Sequence, residues 1–234
     1  MSSALKRLPS EAAEMDIAPR HPGLEEAMRV AEALLFAATE PLKSEDLAAR
    51  LPASTDIEAV LEGVASFYAG RGINLVRVAG GWAFRTAPDL AYALAGAAPE
   101  PQKLSRAALE TLAIVAYHQP TTRAEIEEIR GVSISKGTLD TLLETGWIRL
   151  RGRRRSPGRP LTYGTTPAFL SHFGLDAIGD LPGLDELKGL GFIEGRLAPE
   201  LTVPMPSDDS LLREDEDPLD EADLSLGPTA DETD

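Results

Sequence analysis

The 234-residue chain contains no cysteine, which excludes disulfides, thiolate metal sites and a cysteine nucleophile. It has no run of about 18 apolar residues, so nothing reads as a membrane span. The first residues, MSSALKRLPSEAAEMDIAPRHPG, lack the continuous apolar core of a secretory signal. Together these absences point to a cytoplasmic protein. The catalytic signatures are missing as well. His21, His118 and His172 fall in a leader, at a helix end and on a late helix, and no two share metal-ligand spacing. There is no G-x-S-x-G elbow and no pair of carboxylates in an evidently apolar setting. GVSISKGT (131–138) has its lysine before its second glycine, the wrong order for a phosphate loop, and no strand leads into it. The expectation is a protein with no enzymatic activity, no cofactor and no metal.

Charge is present in excess, but unevenly. The formal net charge is −15, yet residues 194–234 alone hold 14 acids against Arg196 and Arg213. Residues 1–193 are therefore close to balanced, and the low pI does not by itself argue against a nucleic-acid partner. An Asp-, Glu- and Pro-rich tail with few aromatics cannot bury enough apolar surface to fold alone. We expect residues 1–22 to be a flexible leader and 194–234 to be an acidic disordered tail.

Between those ends the hydrophobic period is helical. Ala27, Val30, Ala31, Leu34 and Leu35 form one stripe; Pro41 breaks it, and Ser44 is placed to cap a second helix over EDLAARL. A third helix runs from about Asp56 to Gly70 with Ile57, Val60, Leu61, Val64, Phe67 and Tyr68 as its stripe. INLVRVA and WAFRT around Gly80-Gly81 read as a β-hairpin, and PDLAYALAG as a short closing helix. The order then repeats. A shift of 79 residues carries Pro41 onto Pro120, Leu47 onto Ile126, Val60 onto Leu139 and Val64 onto Leu143. Ser105 caps the first helix of the second copy, Thr121 or Thr122 the second, and SISKGTLDTLLETG is the third. Three helices and a hairpin, twice, make a mainly α fold with small β-hairpins: two tandem winged helix-turn-helix domains. The expected division is 23–98, 99–175, a C-terminal extension over 176–193, and the two tails. Trp82 and Trp147 each begin a strand, where core packing explains them better than ligand stacking.

The second hairpin carries Arg149, Arg151, Arg153, Arg154, Arg155 and Arg159 between Trp147 and Pro160. Strand alternation puts Arg149, Arg151 and Arg153 on one face. Wings often rest on phosphates, which makes Arg151, Arg153, Arg154 and Arg155 candidates for phosphate contact; the plain alternative is a solvated hairpin tip. Base readout, however, is the work of the third helix. Its outward candidates in the second copy are Ser135, Lys136, Thr138, Asp140, Thr141 and Glu144, and the first copy presents Asp56, Glu58 and Glu62. Carboxylates repel phosphates, so these helices are poorly suited to DNA.

The segments SRAALETLAIVAYHQPTTRAEIEEIRGV and PGRPLTYGTTPAFLSHFGL resemble segregation and condensation protein B, the ScpB family of bacterial SMC-complex accessory subunits. The resemblance extends over about residues 24–192. It implies a non-enzymatic subunit acting in chromosome condensation and segregation during cell division, nucleoid-associated in the cytoplasm. The implied partners are an ScpA-type kleisin and, through it, the SMC ATPase; DNA is met only indirectly or weakly, and no membrane is involved. It also implies a homodimer formed largely through the first domain. Leu35, Phe67 and Tyr68 are the dimerisation candidates, although core packing claims the same three. Arg159 and Tyr163 are the partner-binding candidates, with Tyr163 equally able to pack inside. The rival expectation is a winged-helix transcriptional regulator that binds DNA through the basic wing 149–159.

Overall fold

The computed structural model describes residues 23–94, 104–183, 186, 212–220 and 223. The expected leader and most of the acidic tail lie outside the described residues, as do residues 95–103 between the two units.

The first unit opens with α1 (Leu24–Ala37), which buries Ala27, Ala31 and Leu35 at helical spacing. Pro41 follows, and a short α2 (Ser44–Ala48) places Leu47 in the core. Burying a leucine side chain fully is worth about 2–3 kcal/mol, so Leu47 anchors an otherwise brief helix. Ser44 does not cap it. Lys43 occupies the cap position, and the Ser44 hydroxyl instead accepts from the Trp82 indole N–H at 3.2 Å. The third helix, α3 (Ile57–Tyr68), is capped by the Asp56 carboxylate on the N–H groups of Glu58 and Ala59. Val60, Leu61 and Val64 turn inward against α1.

Strands β1 (Ile73–Val78) and β2 (Gly81–Thr86) form the first wing. The turn lies one residue earlier than the glycine pair suggested: Ala79 and Gly80 both adopt positive φ, 54° and 73°. That is the geometry a two-residue hairpin needs to follow strand twist. Leu42 makes a single antiparallel bridge to Trp82 at the edge of this two-stranded wing. A 3-10 turn at Pro88–Leu90 and α4 (Ala91–Leu94) close the unit.

The second unit repeats the plan with better local chemistry. Ser105 caps α5 (Arg106–His118). After a cis Gln119–Pro120 bond, the short β3 (Thr121–Thr122) leads into α6 (Arg123–Arg130). Thr122 and Glu125 form a reciprocal capping box, satisfying two otherwise unpaired N–H groups, and Gly131 ends the helix in the left-handed conformation. Helix α7 (Lys136–Glu144) follows, with Leu139 and Leu142 buried. Thr138, expected to face outward, is also buried, and its hydroxyl lies 2.6 Å from that of Ser135.

Strands β4 (Ile148–Arg154) and β5 (Leu161–Thr165) make the second wing, and α8 (Pro167–Phe173) closes it under a Thr166 cap. The sheet is larger than a hairpin. Its order is β3-β5-β4-β6, where β6 is Glu216–Asp217 from the acidic tail. A proline beside a strand ordinarily marks a sheet edge, yet β5, which follows Pro160, is interior to the sheet. The proline stands just ahead of β5, where it need not donate to the ladder.

The two units touch through the first wing. The Ala79 and Gly80 N–H groups donate to the carbonyls of Leu175 and Asp176 at 2.8 and 3.0 Å. Arg77 pairs with the Asp176 carboxylate at 3.2 Å, and Arg85 donates to the Ser171 hydroxyl at 2.7 Å. The segment following α8 thus serves both units, since Ile178 belongs to the core of the second.

Candidate functional site

The basic wing is covered by the chain's own acidic segment. Residues 212–220 were expected to be disordered, and for them the structure differs: they lie along the outer edge of β4. Arg153 pairs with Asp217 and Arg154 with Glu216 in antiparallel register, and the Arg155 N–H donates to the Asp215 carbonyl at 2.7 Å. A sequence too acidic to fold alone is ordered here by a surface of opposite charge.

The geometry begins with a β-bulge. Leu150 faces Tyr163 and Gly152 faces Thr162, so Arg151 is the extra residue on β4. A bulge turns the alternation of the strand, and the common face expected for Arg149, Arg151 and Arg153 does not form. Arg149 is exposed while Arg151 is buried. The Arg151 side chain runs past Gly164, where a β-carbon would stand 2.6 Å from Arg151 Cδ.

Buried Arg151 meets an equally buried acid. Its Nη2 lies 3.5 Å from Glu216 Oε2, with side-chain exposures of 5 % and 0 %. The Thr162 hydroxyl donates to Glu216 Oε1 at 2.6 Å, and the Arg213 N–H to Oε2 at 3.1 Å. An ion pair removed from water needs such extra donors to offset desolvation. Gly152 supplies the space: a β-carbon there would come 2.5 Å from the Asp217 carbonyl oxygen and 2.9 Å from Leu212 Cδ2.

Four more arginines, Arg153, Arg154, Arg155 and Arg159, are engaged at the rim, while Arg149 is exposed. Arg154 reaches Asp215 at 2.8 Å and Glu125 of the α6 capping box at 2.9 Å. Arg155 and Arg159 share Asp217 at 2.7 and 2.9 Å. Arg153 grips the buried Asp223, which also exchanges hydrogen bonds with Asp220. The Arg155 hydrogen bond, joined by Arg159, holds the Asp217 carboxyl below the usual aspartate range, and Arg153 does the same for Asp223. Burial works to raise the Glu125 pKa, but the Thr122 N–H and Arg154 outweigh it and leave it lowered.

Of the residues proposed for phosphate contact, Arg151 is thus enclosed in the sheet and Arg153, Arg154 and Arg155 are paired with carboxylates. Of the partner-binding pair, Arg159 sits on the tail, and Tyr163 is in the hydrophobic core with Leu112, Ile126 and Ile148. Burial pushes its phenol pKa up. The dimerisation candidates also separate. Leu35 is core, and Tyr68 is half-buried with its hydroxyl on Glu32. Phe67 is 54 % exposed, stacked edge-on to Tyr68 and covered on one side by the Arg71 guanidinium. Phe36, which sequence reasoning passed over, is 83 % exposed beside a depression shared with Tyr68 and Ile73. Glu216, Asp217, Asp223, Thr162 and Gly152 were missed too. Their available signal was an ED-ED run in the tail opposite an arginine run on a strand broken by glycine.

Among the described residues no group of three or more His, Asp or Glu side chains is placed to hold a metal, and no helix is long and apolar enough to cross a membrane. The exposed faces of the third helices match the expectation in part: Asp56, Glu58 and Glu62 are open at α3, and Ser135, Thr141 and Glu144 at α7, but Asp140 is half-buried and Thr138 buried.

Comparison with known proteins matches residues 29–184 to the family described as segregation and condensation complex subunit ScpB. A segregation and condensation protein B from Moorella thermoacetica is 46 % identical over 160 residues, 67 % of this chain and 82 % of that protein. A homolog from Coxiella burnetii is 38 % identical over 180 residues, 74 % of this chain and 86 % of that protein. Among solved structures, ScpB from Mycobacterium tuberculosis has 36 % identity, covers 67 % of this chain and 99 % of that one, and superposes with a TM-score of 0.30. With a family match that spans more than half of its residues, the chain belongs to the segregation and condensation protein B family.

Proposed function

We propose that this chain is a non-catalytic accessory subunit of an SMC-type condensation complex, binding an ScpA-type kleisin and acting through it on the SMC ATPase in chromosome condensation and segregation. The observation that carries this reading is electrostatic. The helices that a DNA reader would lay in the major groove present carboxylates, and the wing arginines that would meet phosphates are spent on the chain's own acids. A protein of DNA-reader shape with its cationic face neutralised is suited to gripping polypeptide. The cleft between the units, lined by Pro41, Arg85, Trp147, Pro167 and His172, has the mixed apolar and polar walls that suit an extended segment. The rival transcriptional regulator needs free wing arginines, and the tail contacts speak against it. The test is co-purification of the full chain with its kleisin: retention through a sizing column supports the reading, and separate elution contradicts it.

The same reading assigns dimerisation to residues 23–98 and leaves 99–175, with the extension 176–193, for partner contact. Exposed Phe36 and Phe67 supply the apolar area that Leu35, being core, does not. Sedimentation equilibrium of the full chain should give a dimer, and Phe36→Asp with Phe67→Asp should shift it toward monomer at least tenfold in Kd. An unchanged dimer would move the interface elsewhere.

A further inference from the structure

We propose that the outer edge of β4 is a binding slot for an acidic, extended peptide, and that residues 212–220 with Asp223 are an internal ligand that occupies and gates it. The partner it fits is another protein's acidic strand. This goes beyond the assignment to a condensation complex and does not depend on it.

Three features of the slot read a peptide rather than charge in general. The first is the backbone: Arg153 and Arg154 offer strand-pairing groups to the bound segment, and the Arg155 N–H donates to a peptide carbonyl. Strand addition of this kind is a recognised mode of peptide capture. The second is Gly152, whose missing side chain lets the incoming backbone approach to a distance that any β-carbon would forbid. The third is the enclosed end of the slot, where Thr162 and Arg151 receive one carboxylate on a side chain that is fully buried. A phosphodiester has no amide to pair with β4 and no stem to carry its charge to that depth.

The arginines set the pattern of the ligand. The glutamate at the buried position is followed by an acid shared by Arg155 and Arg159 and preceded by one on Arg154. A further acid, seven residues beyond the buried glutamate, meets Arg153. The slot therefore selects an acid-Glu-acid run in extended form, and the chain's own copy must leave before a partner's can enter.

The experiment uses the full chain and a fluorescent peptide of the sequence LREDEDPLDEAD, residues 212–223. In the chain carrying Glu216→Lys and Asp217→Lys, which unseats the internal segment, the peptide should bind at least tenfold more tightly than in the unaltered chain. A peptide with glutamine at the Glu216 position should lose at least tenfold in affinity. Absence of peptide binding to the folded variant, or equal binding of the glutamine peptide, would overturn the proposal. So would tighter binding of a mixed-sequence DNA duplex than of the peptide. Should the lysine variant not fold, Gly152→Val, which bars the approach without altering charge, replaces it. The Arg155 amide should then exchange with solvent at least tenfold faster than in the unaltered chain, and an unchanged rate would overturn the slot.

Discussion

At the scale of single residues, Glu216 holds the acidic segment to the wing through what its carboxylate meets. Replacing Glu216 by alanine removes the carboxylate that Arg151 Nη2 meets and that Thr162 donates to. Because the segment can lift away and readmit water, the loss in thermal stability should be on the order of 2 kcal/mol, below the full cost of a stranded buried charge. Thr162→Val should cost about 1–2 kcal/mol through the lost hydroxyl donor. Calorimetry of the two single variants and the double variant checks both, and independent, additive losses would contradict a shared site. Tyr163 requires separate handling. It packs in the core of the second unit, so Tyr163→Ala should cost about 3 kcal/mol whatever it does to partner binding. Tyr163→Phe is the informative variant: undiminished kleisin co-purification would assign the residue to packing alone.

At the scale of elements, β6 depends on pH. Asp217 and Asp223 have carboxyl groups held below their ordinary range by Arg155 and Arg153. Such groups contribute stability above the unfolded-state value and lose it as pH falls through the lowered folded-state value. The segment should therefore stay seated at neutral pH and leave the wing below about pH 4, in the range of unperturbed aspartate. The Arg155 amide resonance followed by NMR from pH 7 to pH 3 checks this; a shift complete by pH 5.5 would assign the release to other groups. Helix α6 offers an independent check on local chemistry, since loss of its capping box in Thr122→Ala should cost about 1 kcal/mol in the melting of the second unit.

The elements also mark what could be read from residue order and what could not. Helices α1, α3, α5 and α7 were legible because each buries a stripe at helical spacing, and the caps Asp56, Ser105 and Thr122 mark the starts of α3, α5 and α6. The wings were legible as alternating strands joined by turn residues. The bulge at Arg151 was not, because it is a two-against-one pairing that only the partner strand reveals. Nor was β6, whose contacts span more than 50 residues of sequence and depend on charge matching instead of periodicity. Both misses fall at the candidate site, where an arginine buried by a bulge and a polar Thr162 inside the sheet meet the Glu216 carboxylate.

At the scale of the whole molecule, the sign and placement of charge decide between gripping DNA and gripping polypeptide. Sequence-independent DNA affinity comes from cations free to displace counterions along the phosphate backbone. Here Glu58 and Glu62 of α3 and Glu144 of α7 are exposed, and the wing arginines from Arg151 to Arg159 meet acids of the tail. The direct measurement is fluorescence anisotropy of a mixed-sequence DNA duplex titrated with the intact chain at about 0.15 M salt. The account predicts no saturable binding up to roughly 10⁻⁵ M protein, near the weak end of non-specific affinity. A Kd below about 10⁻⁷ M with a steep salt slope would contradict it.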